Sequence, residues 1–145
     1  MKKLFSLLLA SALLVVCSHA YCQQGGQDYL KSSITHVVPD TAANSTPLIQ
    51  TYTLAGYWDQ VIIQSTFTKI SGTITGTIGL YGSTDNFGFS QIDSVRNLTN
   101  VALKTHTWYM SPSPFKYYKL IITPSGTLAV KVQSPILWRI KPIIR

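Results

Sequence analysis

Nucleophilic catalysis needs a base beside a hydroxyl or thiol, and a third group to orient that base. Serine and threonine are abundant in this 145-residue chain, but no Gly-x-Ser-x-Gly turn is present. Beyond the leader the histidines are His36 and His106, each inside a strand-like segment, where a part-buried, hydrogen-bonded role is the simpler reading. Metal hydrolysis needs clustered His, Asp or Glu at ligand spacing, and no such cluster stands out. Asp85, Asn86 and Asp93 carry the hard oxygens that suit calcium, yet Asp and Asn are equally at home in a plain turn. Glycosidase chemistry needs two facing carboxylates, and five scattered aspartates with no glutamate nominate no pair. No glycine loop that could cradle a phosphate opens a helix. The expectation is therefore no catalytic residue, no metal ligand and no cofactor. The protein is read as a non-enzyme.

Contact surfaces are the remaining resource. Tyr57, Trp58, Trp108 and Tyr109 could form a flat platform for sugar rings. The competing account places one member of each strand-borne pair in the core and the other on the rim. Charge is unevenly spread. Residues 23–93 hold five aspartates against Lys31 and Lys69, whereas Ser94 onward holds eight basic side chains and no acidic one. Lys116, Lys119, Lys131, Arg139, Lys141 and Arg145 are the candidate cationic contact surface, toward an anionic surface or the acidic part of a neighbouring copy. The competing account scatters them over both faces of a sheet structure. Nucleic acid is not the favoured partner.

The elements that must position these residues are strands. Ile74, Ile78 and Leu80 share one parity around Gly76, while Thr73, Thr75, Thr77 and Tyr81 take the other, the period of two of a half-buried strand over 72–82. Val61, Ile63 and Phe67 share a face in the same way. Further strands are expected at 34–38, 48–54, 89–95, 106–110, 115–123, 128–132 and 137–144. Pro-Ser-Gly-Thr127 reads as a tight turn joining 115–123 to 128–132 in a hairpin. Residues 40–47 read as a loop and 23–33 as a loose arm. No segment beyond the leader has a capped 3.6 period. The expected fold is all-β: one antiparallel β-sandwich over 23–145, of jelly-roll or immunoglobulin-like type, with seven to nine strands.

Met1-Lys-Lys, the apolar run Leu4 to Val16 and the small residues that follow have the three parts of a secretion signal. A signal helix over 1–22, cut after Ala20 or Cys22, would precede the sandwich. Cys17 and Cys22 are the only cysteines, so a cut after Cys22 leaves no disulfide scaffold. Contact with a membrane is expected only through an uncleaved signal.

The series Tyr57-Trp-Asp-Gln-Val, Phe67 to Thr77, Leu80-Tyr-Gly-Ser-Thr-Asp and Pro114-Phe-Lys-Tyr-Tyr-Lys-Leu, closing with Ser125-Gly-Thr127, resembles small all-β structural proteins of phage particles and prophage regions. Asn86 and Phe87 stand where such proteins usually have Gly and a polar residue, and Lys119 where Arg is common. The resemblance implies a shell or surface component that packs against copies of itself or other coat proteins, and it implies no catalytic residues. Together with the leader, it predicts an oligomeric virion or exported protein. A secreted carbohydrate- or surface-binding module is the alternative.

Overall fold

Strand β4 (Gln60–Gly72) is the spine on which the first sheet is assembled. The computed structural model describes residues 25–33 and 38–140. The expected signal helix, all but Val38 of the strand candidate at 34–38, His36, Lys141 and Arg145 lie outside those residues. The described chain is all-β, in two antiparallel sheets packed as a sandwich.

The other strands are β1 (Gly25–Tyr29), β2 (Asp40–Ala43), β3 (Leu48–Thr53), β5 (Gly76–Ser83), β6 (Ser90–Gln91), β7 (Arg96–Asn97), β8 (Leu103–Met110), β9 (Tyr117–Pro124), β10 (Leu128–Gln133) and β11 (Pro135–Arg139). One edge of β4 pairs with β8. The other pairs with β11 along Gln60–Ile63 and with β10 along Thr66–Gly72. Outside β10 lies β2, and outside β11 lies β1. The second sheet runs β3-β9-β5, with β6 and β7 both pairing β5.

The inner faces follow the alternation expected from the sequence. Val61, Ile63 and Phe67 on β4 and Val130 and Val132 on the neighbouring β10 face Ile78 and Leu80 on β5 and Tyr118, Leu120 and Ile122 on β9 across the sandwich; all are buried. Each such aliphatic side chain contributes roughly 1.5–3 kcal/mol on leaving water. Three polar residues, Gln50, Ser65 and Ser134, are buried as completely. They form one chain of hydrogen bonds: Ser65 Oγ meets Ser134 Oγ at 2.9 Å, Ser134 Oγ donates to Gln50 Oε1 at 2.6 Å, and Gln50 Nε2 donates to Asp40 Oδ2. Ser32 Oγ closes the chain on Asp40 Oδ1 at 2.6 Å. The chain links β2, β3, β4 and the break between β10 and β11, so it ties the two sheets together.

Several expectations change. Residues 72–82 are not one strand. The chain leaves the first sheet at Gly72 and enters the second at Gly76, with φ of 71° and 131°. A Cβ at Gly72 would lie 1.7 Å from the carbonyl oxygen of Thr127, so only glycine turns this corner. The hairpin of 115–123 with 128–132 is also absent, because β9 and β10 belong to different sheets. Their connection crosses beside the first corner, and Ser125 N donates to Thr75 O at 3.0 Å. Local turn chemistry is the same for a hairpin and a crossover; the long-range partners decide.

The arm expected at 23–33 contains β1, paired along its length with β11 and followed by the fully buried Leu30. The loop expected at 40–47 contains β2, because Ala42 packs in the core and Asp40 is held by Ser32 and Gln50. Eleven strands stand among the described residues where seven to nine were expected, because β1, β2 and the two-residue β7 add to the count, while 89–95 reduces to the two-residue β6. Lys31 and Thr51 exchange backbone bonds of 3.2 and 2.9 Å, which joins the two sheets along one side.

Candidate contact surface

The structure separates the four candidate aromatic residues. Trp108 on β8 is 3% exposed and faces inward, so it cannot offer a ring to a ligand. Trp58 is half-buried, with its ring 6.1 Å from Trp138, which in turn lies 5.5 Å from Tyr52. These three rings close one end of the sandwich. Tyr57 and Tyr109 are exposed at 66% and 59%. The platform expected from the sequence is thus half core and half rim.

Tyr109 instead belongs to a different constellation, on the outer face of the first sheet. Its register partner Ile62 pairs in turn with Leu137, and Leu137 with Gln27, so four side chains form a row across four strands. Two residue pairs along, on the same face, Gln60 opposes Arg139. Gln60 Nε2 donates to Tyr109 Oη at 2.8 Å, and Arg139 Nε donates to Gln60 Oε1. Ile62 and Leu137 floor a groove of about 470 Å³, with Gln27, Gln60 and Arg139 along it and Gly26 and Trp138 at its side. Gly26 lies against the Trp138 ring, where a Cβ would come within 2.5 Å. The lining is apolar below, amide and guanidinium above, and holds no carboxylate. Such a site suits an apolar or aromatic group with a negative charge beside it.

The connection after β5 is built differently. Ser83 Oγ donates to Asp85 Oδ1 at 2.8 Å and accepts from Asn86 N at 3.0 Å. Asp85 Oδ1 also accepts from Phe87 N at 2.9 Å and Gly88 N at 3.1 Å. Those donors, the Phe87 N–H foremost, hold the Asp85 carboxyl below its usual range, so it is an anion at neutral pH. Asn86 takes φ 68°, and the residue after it is turned outward: Phe87 is 91% exposed. Asp93, the other weighed calcium ligand, pairs with Arg96 at 2.6 Å.

The cationic candidates do not form one surface. Lys119 lies on the outer face of the second sheet, its Nζ 3.8 Å from the Phe89 ring centre. Lys116 sits over Tyr117 at 5.6 Å. Lys131 and Arg139 are on the first sheet, on β10 and β11 respectively. His106 is buried between Phe67 and Trp108, at 5.9 and 6.2 Å between ring centres. Burial, then the charges of Arg96 and Lys104, push its pKa down, so it is neutral. Arg96 spans the open side of the sandwich, donating to Thr107 O at 3.1 Å and lying 4.7 Å over the Trp108 ring.

Gln60, Ile62 and Leu137 are not among the contact residues expected from the sequence, and Phe87 stands out there only as a departure from the resembled pattern. The outward parity of the first three was legible, but which strands lie side by side was not. Phe87 carried a signal of its own, a large aromatic between Asn86 and Gly88 in a polar turn.

No protein-family model and no curated protein matches the chain significantly. Solved structures do. A chain in the structure of infectious bursal disease virus, Gx strain, aligns at 6% identity with a TM-score of 0.54, over 82% of this chain and 32% of that one. The Gt strain structure gives 7% identity and a TM-score of 0.50, over 81% of this chain and 32% of that one. A carbohydrate-binding module specific for non-crystalline cellulose gives 8% identity and 0.48, over 80% and 87%. What the two viral chains share with this one is the fold. This chain spans about a third of each viral chain it matches.

Proposed function

We propose that this chain is a non-enzymatic structural protein, an exported or virion-type shell or surface component that acts through contacts with copies of itself or other coat proteins. We read the strand order, β2-β10-β4-β8 facing β3-β9-β5-β6, as a jelly roll, an architecture in which eight strands wind as two Greek keys. The observation that carries the reading is Phe87, 91% exposed on a turn fixed by side-chain hydrogen bonds. A large aromatic carried into water on an ordered turn costs solvation unless a partner covers it, and the ordering entropy of the turn's backbone is already spent before binding. Leu103 and Tyr109, 62% and 59% exposed on the edge strand β8, are further apolar side chains open to a partner. Size-exclusion chromatography with light scattering on the purified chain tests the reading. The expected result is an oligomer that grows with concentration. A monomer at every concentration and salt would overturn it.

A second reading, a saccharide-binding module, is favoured by the exposed Tyr109 ring beside the Gln60 amide in the groove. A glycan array that shows binding by the wild type and none by Tyr109→Ala, at an unchanged melting temperature, would support it. An empty array removes it.

A further inference from the structure

We infer that the Phe87 turn of one copy seats in the outer-face groove of another, a head-to-tail contact that rests on the self-association proposed above. The two surfaces are complementary in shape and sign. The turn is a rigid knob with one apolar tip and one carboxylate, Asp85, two residues before it. The groove has an apolar floor of Ile62 and Leu137, a volume of about 470 Å³ and one cation, Arg139, held along it by Gln60. Among the described residues no carboxylate lines the groove, so none of them repels Asp85 there.

The knob and the groove of one molecule cannot meet. The turn extends from β5 in the second sheet, whereas the groove opens on the outer face of the first, away from the interior that the sheets share. Two stacked sheets lie about 10 Å apart, and a six-residue turn cannot wrap around both. The contact is therefore between molecules. Each copy offers one knob and one groove on different surfaces, which makes the interface heterologous. Such contacts propagate as rings or filaments rather than stopping at a two-fold dimer.

Complementation of two variants tests this, using the full chain. Phe87→Ser removes the knob and leaves the groove; Leu137→Glu spoils the groove and leaves the knob. Both sites are outside the core, and melting curves that match the wild type confirm folding. The expected result from sedimentation velocity is that wild type assembles and each variant alone is weakened roughly 30-fold or more, as for loss of an anchor aromatic. The mixture should form a dimer with one copy of each variant and stop there. A wild type that assembles while Phe87→Ser assembles equally well would overturn this contact and leave the assembly reading standing. A wild type that stays monomeric would overturn both. A saccharide bound by wild type and lost in Leu137→Glu, with no self-association, would give the groove to a glycan and overturn the contact as well.

Discussion

Two runs of side-chain hydrogen bonds cross this molecule from strand to strand, and they differ in depth. The inner run, Asp40-Gln50-Ser134-Ser65, is enclosed between the sheets and has no access to water. The outer run, Arg139-Gln60-Tyr109, lies on the surface of the first sheet and frames a groove. Both use an amide as the middle member, donating on one side and accepting on the other. Burial turns the same chemistry to different ends. Inside, each lost partner strands a polar group away from water, so the run holds the sheets in register. Outside, water replaces any lost partner, so the run contributes little to folding and can be used for recognition.

The largest expected effect comes from breaking the inner run at its centre. Gln50→Ala leaves Asp40 and Ser134 each short of a partner and opens a cavity. It should cost about 3 kcal/mol, measured as the shift in urea midpoint at constant slope. Ser65→Ala removes only a terminal hydroxyl and should cost about 1 kcal/mol. A double cycle of Ser65→Ala with Gln50→Ala should be non-additive, because both act on Ser134. Additive effects would mean the run is two separate pairs.

The depth of each residue was partly legible in the sequence. Alternation placed Val61, Ile63, Ile74, Ile78 and Leu80 inward, because a two-residue period with one apolar face admits one orientation. The same parity put Gln50 and Ser65 inward, but only their partners, tens of residues away, explain how polar groups can stay there. β1 and β2 escaped notice for a related reason. Gly25-Gly26 in β1 and Asp40, Ala42 and Ala43 in β2 have weak strand propensity and become strands through pairing with β11 and β10. The turn at Pro124–Thr127 shows the limit most directly: a residue string that suits a hairpin is used as a crossover. The groove depends on which outward faces become neighbours, and three strands remote in sequence, β1, β4 and β11, supply them.

His106 sharpens the comparison, since it is a core group that belongs to neither run. Its Nε2 has no hydrogen-bond partner within the described structure, and burial with Arg96 and Lys104 nearby lowers its pKa from 6.5. The unfolded chain therefore takes up a proton that the folded chain resists. Stability contributed by this group is fully present above about pH 6.5 and falls as the pH drops from there toward the lower folded value. The melting temperature should decline over that window. His106→Phe should flatten the decline at little cost, because an apolar ring fits between Phe67 and Trp108 and strands no donor. A slope unchanged by the substitution would assign the pH dependence elsewhere.

The smallest expected effect on stability falls on the outer run, and it separates the two most cleanly. Gln60→Ala leaves both former partners, Tyr109 Oη and Arg139 Nε, free to bond water, so the cost to folding should stay within about 0.5 kcal/mol. Recognition should respond more than stability does. Without the amide, the Arg139 fork and the Tyr109 ring are no longer held in place at the groove, and a partner must order them on binding. That ordering costs about 0.5–1.5 kcal/mol per long side chain, so self-association should weaken several-fold while the melting curve barely moves. Concentration-dependent light scattering beside a thermal melt reads both quantities on one sample. An equal loss in both would mean that the outer run supports the sheet as the inner one does, and that depth does not divide their roles.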